Sequence, residues 1–192
     1  MKYVINKIQT GTTPSTSNSK YFNGNIDWFN PKDLNNEILT KSEKTISEQA
    51  ILNNEIKLFE DDAVLIVGIG ATTGKTSYLT KKATFNQQIT GFKSKENYNK
   101  YLFYQIKTFS KVFLNIANYT TLPILNNEFF KAFILILPPL PEQQKIVSYI
   151  EEKISKIDNL IQLQQKQIEK LKEYKTSLID EVVTGKIKVF DE

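Results

Sequence analysis

The chain has 192 residues, 40% apolar and 24% charged, a balance that supports a folded core and excludes a disordered tail. It contains no cysteine and no histidine, which removes disulfides, Cys/His zinc clusters, thiol nucleophiles and every relay routed through an imidazole. The opening MKYVINKIQTG is too poor in apolar residues for a signal peptide, and no apolar run approaches the ~18 residues of a membrane span, so a soluble cytoplasmic protein is expected.

All 25 basic residues are lysine and the net charge is +4. Any anion contact is therefore a point charge on a flexible stem, without the planar fork of a guanidinium. Residues 1–140 carry 16 lysines against 11 carboxylates, and residues 141–192 carry 9 against 10. The positive charge belongs to the first region.

That region is broken by Gly, Pro, Asn, Ser and Thr clusters between short β-branched and aromatic runs, the texture of strands and turns. Residues 11–25 predict a long ordered loop or functional lip. Trp28 and Phe29 read as a core anchor before a turn at Asn30-Pro31-Lys32-Asp33. Residues 41–46 and 48–52 fit helix or strand. AVLIVGIGA, residues 63–71, is the clearest buried strand, and Tyr78-Leu79-Thr80 begins another. Residues 96–106 suit a helix, residues 126–131 are ambiguous, and AFILIL, residues 132–137, predicts a second buried strand stopped by Pro138 and Pro139. The fold class is mixed α/β: a twisted sheet with short helices over residues 1–140.

From residue 142 to 184 there is no Gly or Pro, and Gly185 supplies a stop. One helix of this length would extend ~64 Å. Val147, Ile150, Ile154, Ile157, Ile161, Gln164, Ile168, Leu171, Lys175, Leu178 and Val182 recur in alternating steps of three and four, the seam of a left-handed coiled coil. With one such helix in the chain, a second molecule must bury the seam, and a two-fold dimer is the simplest closure. Ile150, Ile154, Ile157, Ile161, Gln164, Ile168, Leu171 and Leu178 are the expected dimer contacts. Gln164 and Lys175 interrupt the seam and set its register or orientation.

Among motifs, GIGATTGKTS at residues 68–77 fails the phosphate-loop spacing in both alignments, with five residues between Gly68 and Gly74 and three between Gly70 and Gly74. What remains is a Gly-rich turn presenting backbone amides, Thr72, Thr73 and Lys75 to an anion such as a nucleic-acid phosphate. Asn86, Gln87, Gln88 and Asn118 carry carboxamides that can pair with adenine edges. The adjacent carboxylates Asp61/Asp62 and Glu151/Glu152 diverge on strand or helix and make no acid/base couple. No catalytic or metal-binding constellation is present.

These residues resemble one family, the specificity subunits of type I restriction-modification systems. The segment LPPLPEQQKIVSYIEEKISKIDNLIQLQQKQIEKLKEYKTSLIDEVVTGKIKV, residues 137–189, is similar to their conserved helical region. GTTPSTSNSKYFNGNIDWFNPKDL, residues 11–34, is similar to the opening of their target recognition domain, and GATTGK, residues 70–75, with Asn86 and Gln87, to its centre. The resemblance implies a non-catalytic, DNA-reading domain over residues 1–140 and, over residues 141–192, a helix for dimerisation and methyltransferase docking. The family's usual subunit has two of each, its helices antiparallel, so this chain looks like a half-subunit whose homodimer reads a bipartite inverted repeat. Its partners would be double-stranded DNA, adenine methyltransferase subunits and, in the complete complex, the translocase and nuclease subunit. S-adenosylmethionine, ATP and magnesium would belong to those partners, and this chain would hold no cofactor. Expected DNA contacts are Lys20, Lys32 and Lys75 to phosphate, and Thr12, Thr13, Ser15, Gln87, Gln88, Asn118 and Tyr119 to base edges or backbone. A different reading is a truncated or decoy specificity protein that sequesters methyltransferase; the Met1 start and the intact helix exit favour a working product.

Overall fold

The computed structural model describes residues 1, 3–118, 125 and 127–189, and the chain divides into two compact units, Met1–Val147 and Ser148–Glu192. The first opens with β1 (Lys7–Thr10), a 3-10 turn (Ser19–Tyr21), β2 (Phe22–Phe29), β3 (Ile38–Leu39), β4 (Lys44–Ile46) and helix α1 (Glu48–Leu52). Next come β5 (Ala63–Val67), β6 (Thr76–Leu79), β7 (Thr84–Phe85) and β8 (Ile89–Lys93). Thereafter the described chain is helical or extended: α2 (Asn99–Thr108), α3 (Ser110–Asn118), α4 (Asn127–Ala132) and α5 (Leu140–Val183). The class is the mixed α/β expected.

Five strands form one sheet in the order β1-β8-β5-β6-β3, and three form another in the order β4-β2-β7. The uninterrupted apolar sequence of β5 follows from its position, because a strand covered on both faces has no polar side to show. Val64 and Ile66 join Phe92, Leu102, Phe113 and Val147 on one face. Ala63, Leu65 and Val67 meet Phe29, Phe59 and Phe85 on the other. A third cluster holds Tyr21, Trp28, Ile46, Ala50 and Ile56, so Trp28 and Phe29 are core anchors.

Several expected elements shift. The β5 strand ends at Val67, not at residue 71, because Gly74 N–H bonds to Val67 O at 2.8 Å and turns the chain into β6. That turn needs Gly70 and Gly74, at φ +108° and +88°, where a Cβ is strained. The expected loop at residues 11–25 is irregular only to Asn18, since β2 already begins at Phe22 and pairs with β4 around a bulge. The expected helix at residues 96–106 starts later, at Asn99, whose side-chain oxygen takes the Ser94 N–H at 2.7 Å. Residues 41–52 resolve into β4 followed by α1, and α4 covers Asn127–Ala132, with Asn126 outside the described residues.

The second buried strand expected at residues 132–137 is not formed. The segment is extended but joins no sheet, with Phe133 and Leu135 packed on the core while Ile134 and Ile136 are 84% and 76% exposed. Side chains, not a neighbouring strand, hold it: Tyr101 Oη and Gln105 Nε2 both donate to Ile136 O, at 3.0 and 2.8 Å.

Helix α5 is 44 residues, ~66 Å at 1.5 Å per residue. Pro141 is tolerated in its first turn, where an N–H has no intrahelical partner. Gly185 at φ +75° ends it, with Gly185 N–H bonded to Val182 O and Lys186 N–H to Glu181 O, the hydrogen-bond pair of a Schellman cap. Its first two turns belong to the first unit. Gln143 there is 1% exposed and spends its carboxamide on Tyr98 N–H, Asn97 Oδ1 and Pro138 O. Val147, expected in the seam, is instead 1% exposed in the core of its own unit. Beyond it, Ile154, Ile157, Ile161, Ile168, Leu171 and Leu178 are all exposed, and Ile150 is half-buried. No helix of the described residues is long and apolar enough to cross a membrane.

Candidate nucleic-acid interface

The candidate site begins with a register. Strands β2 and β7 run parallel with Phe29 beside Phe85, and both aromatic rings are buried. Each is followed by asparagine, so Asn30 and Asn86 emerge side by side at the strand ends. Asn86 Nδ2 donates to Asn30 Oδ1 and to Gln88 Oε1, each at 3.3 Å. Gln88 Nε2 donates to Ile69 O at 3.3 Å, and Asn30 Nδ2 to Trp28 O at 3.2 Å. The three carboxamides thus orient one another. They line an open cleft of about 410 Å³ with Pro31, Lys32, Lys44, Ile69, Gly70, Ala71 and Thr72.

A lip formed by Gly11, Thr12 and Thr13 closes onto the segment between β7 and β8. Gly11 N–H bonds to Ile89 O at 3.0 Å, Thr12 N–H to Phe85 O at 2.9 Å, and the Thr13 hydroxyl to Gln87 Oε1. Trp28 Nε1 adds a bond to Thr12 O at 3.2 Å. Only glycine fits at position 11, where a Cβ would lie 2.1 Å from Phe85 O and 2.4 Å from Asn86 O.

The Gly-rich turn keeps three of its amides for itself. Thr73 N–H bonds to Gly70 O, Gly74 N–H to Val67 O, and Lys75 N–H to Thr72 O. Thr73 is buried and its hydroxyl turns inward to Gly70 O. Of the expected trio, Thr72 alone reaches the cleft, with Gly70 and Ala71 beside it.

Electrostatics sort the lysines. Lys32 is ion-paired to Glu43, and its hydrogen bond holds the Glu43 carboxyl below the usual range. Lys44 lines the same cleft. Beneath the strand ends, Asp27 is buried and accepts from Ser42 N and Ser42 Oγ, both at 2.7 Å, and from Lys81 Nζ at 2.6 Å. Burial pushes the Asp27 carboxyl up, but the bonds from Lys81 and Ser42 outweigh it and leave it below the ordinary range. Asp27 thereby pins β2 just before Trp28.

The expected contacts divide. Lys32 and Gln88 line the cleft, with Thr12, Thr13 and Gln87 joined to it through the lip. Ser15 and Lys20 belong elsewhere: Ser15 N–H meets Glu55, and Lys20 O accepts from Ser47 beside α1. Lys75 is half-buried just before β6. Asn118 ends α3, with its side chain outside the described residues, as is Tyr119. Asn30 and Lys44 were not among the expected contacts, and no local signal marks them, since Phe-Asn also occurs at 22–23 away from the cleft and Lys44 follows no such pair. Among the described residues no group of acidic side chains could hold a metal ion.

Fold and cleft define a small α/β unit with a polar, lysine-flanked surface at the ends of two strands, continued by a helix with an exposed apolar seam. The family model for the type I restriction modification DNA specificity domain matches residues 4–173, and the chain belongs to that family. It is 30% identical over 171 residues to the MjaIX specificity subunit of Methanocaldococcus jannaschii, covering 86% of this chain and 38% of that protein. It is 28% identical over 155 residues to the EcoR124I/EcoR124II specificity subunit of Escherichia coli, covering 77% and 38%. The chain spans about two fifths of the curated relatives it matches. The fold matches a chain from a study of type I R-M complex assembly with a TM-score of 0.71, at 18% identity over 93% of this chain and 43% of that one. It also matches the HsdS subunit from Thermoanaerobacter tengcongensis with a TM-score of 0.65, at 17% identity over 94% and 42%.

Proposed function

We propose that this chain is a non-catalytic DNA-reading subunit of a type I restriction-modification complex. In this reading the first unit engages double-stranded DNA, α5 pairs with a second copy, and the homodimer reads two identical half-sites in inverted orientation. The carrying observation is the cleft in which Asn30, Asn86 and Gln88 hold one another in place beside Lys32 and Lys44. Buried Asn86, both of whose amide hydrogens are spent, holds Asn30 and Gln88 pre-organised to read base edges, adenine above all, and flanking lysines supply salt-dependent attraction to phosphate. Thr12, Thr13 and Gln87 extend the same surface, while Ser15, Lys20 and Lys75 act on the backbone beyond it. Asn118 and Tyr119 remain contacts on the same reading.

Methyltransferase subunits docked on the dimer would use S-adenosylmethionine and flip the target adenine from the stack. This chain places them, and any ATP-driven translocase adds magnesium and ATP of its own. The test is to map methylated adenines in host DNA with and without this gene. A palindromic bipartite motif that disappears with the gene supports the reading; an unchanged methylation map refutes it.

A further inference from the structure

We infer that the cleft reads both members of one A·T base pair: Gln88 takes the adenine edge, and an apolar patch of Pro31, Ile69 and Ala71 takes the C5-methyl group of the thymine. This rests on the DNA-reading function proposed above and deepens it by naming the base pair and the groove.

The polarity of Gln88 is settled by backbone groups that have one role each. The Ile69 carbonyl can only accept, so the Gln88 amide NH2 is the group that meets it, at 3.3 Å, and Gln88 Oε1 turns toward Asn86. The Gln88 backbone N–H can only donate, so Asn86 gives it Oδ1, at 3.0 Å, and has its own NH2 left for Gln88 Oε1 and Asn30 Oδ1. Asn30 is held likewise, its NH2 on Trp28 O. No member of this network can flip without setting like against like. After these bonds Gln88 keeps one amide hydrogen and one carbonyl lone pair. The major-groove edge of adenine calls for that combination, a donor to N7 and an acceptor for the N6 amino group, whereas guanine offers acceptors alone at N7 and O6. Gly70 leaves room for the amide, since a Cβ there would lie 3.1 Å from Gln88 Nε2.

Pro31, Ile69 and Ala71 line the same cleft, and none of the three is buried. Such a patch faces water and gains by being covered. Ile69 supplies both the carbonyl that holds the Gln88 amide and part of the patch, so the polar and apolar features adjoin. Thymine is the base that carries a methyl group in the major groove, on the same edge of the pair as N6 and N7 of its adenine. The minor-groove edge of an A·T pair offers acceptors and no methyl. Donor, acceptor and apolar patch together therefore fit the major groove, and exposed Lys44 on the same lining matches the phosphates that border it.

The test titrates the full-length protein against its mapped DNA site by fluorescence anisotropy at one fixed salt concentration. Each thymine in turn is replaced by uracil, which lacks the C5-methyl group, and each adenine by 7-deazaadenine, which lacks the N7 acceptor. At least one A·T pair should respond to both: about fourfold weaker binding with uracil, the value of one buried methyl, and about fivefold with 7-deazaadenine, that of one hydrogen bond. Ile69→Ala should cut the uracil effect at that pair to less than about twofold and keep the 7-deazaadenine effect, whereas Gln88→Met should do the reverse. Thermal denaturation checks that both variants fold, and the analogue series on the unaltered protein decides the matter without them. Site-specific binding with no A·T pair that responds to both analogues would overturn this inference while leaving DNA reading intact. A uracil effect unchanged by Ile69→Ala would overturn the role of the patch. Absence of any site preference would instead overturn the proposed function, and the inference with it.

Discussion

The lip bonded to the β7–β8 segment makes Gly11→Ala a sharp probe, because one methyl group disturbs the candidate interface without altering any of its polar side chains. The added Cβ would sit 2.1 Å from Phe85 O and 2.4 Å from Asn86 O, so lip or strand end must retreat by roughly 1 Å to restore van der Waals contact. That retreat breaks the bonds from Gly11 N–H to Ile89 O and from Thr12 N–H to Phe85 O, each contributing about 1 kcal/mol. Residual crowding adds at least about 1 kcal/mol. A total near 3 kcal/mol lowers Tm by about 6–12 °C in a chain of this size. Because the lip also holds Gln87 through Thr13, site-specific DNA affinity should fall about tenfold or more, ~1.4 kcal/mol. Thermal denaturation followed by circular dichroism, with a fluorescence-anisotropy titration of the mapped site, measures both. A Tm within about 2 °C of wild type together with unchanged affinity would refute the reasoning.

Replacing Ile157 and Ile168 together by Asp should convert the dimer to monomer in sedimentation velocity and abolish site-specific methylation while leaving the Tm of the first unit unchanged. Lys44→Ala should reduce the slope of log affinity against log salt by about 0.9 if Lys44 neutralises one phosphate; Lys32→Ala should reduce it less, since Glu43 already occupies that ammonium. Asp27→Asn should cost about 1 kcal/mol at pH 7, a modest figure because Lys81 is half-exposed. The Asp27 pKa is depressed by folding, so its contribution is complete above the unfolded value near 3.9 and is lost as pH falls through the folded one. Urea denaturation at both ends of that window should show the wild-type advantage at pH 7 and its disappearance in strong acid.

The elements legible in the sequence were those decided by burial or by unbroken periodicity. The β5 run announced itself because both its faces are covered, and α5 because nothing interrupts it before Gly185. The segment at residues 132–137 misled for a physical reason: alternate packing of Phe133 and Leu135 makes an apolar run whether or not a neighbouring strand exists, and here Tyr101 and Gln105 take the place of one. Val147 fits the heptad spacing as well as Ile154 does, yet the spacing is silent about which surface covers each. In the Gly-rich turn, composition cannot reveal that the amides of Thr73, Gly74 and Lys75 are spent internally. Gln88 and Thr13 were legible as turn carboxamide and hydroxyl. Asn30 was not, since its importance comes from a parallel pairing between residues more than fifty positions apart.

That pairing separates two jobs along the chain. Phe29 and Phe85 are enclosed and fix how the strands end; of the asparagines that follow them, Asn86 is itself buried and hydrogen-bonded throughout its carboxamide, while half-buried Asn30 borders the open cleft. Mutation can therefore rewrite Asn30 and Gln88 while the enclosed rings and Asn86 continue to hold the scaffold. A lineage under pressure to change its DNA target would find that freedom one step past Phe29, and not past Phe85, at little risk to folding.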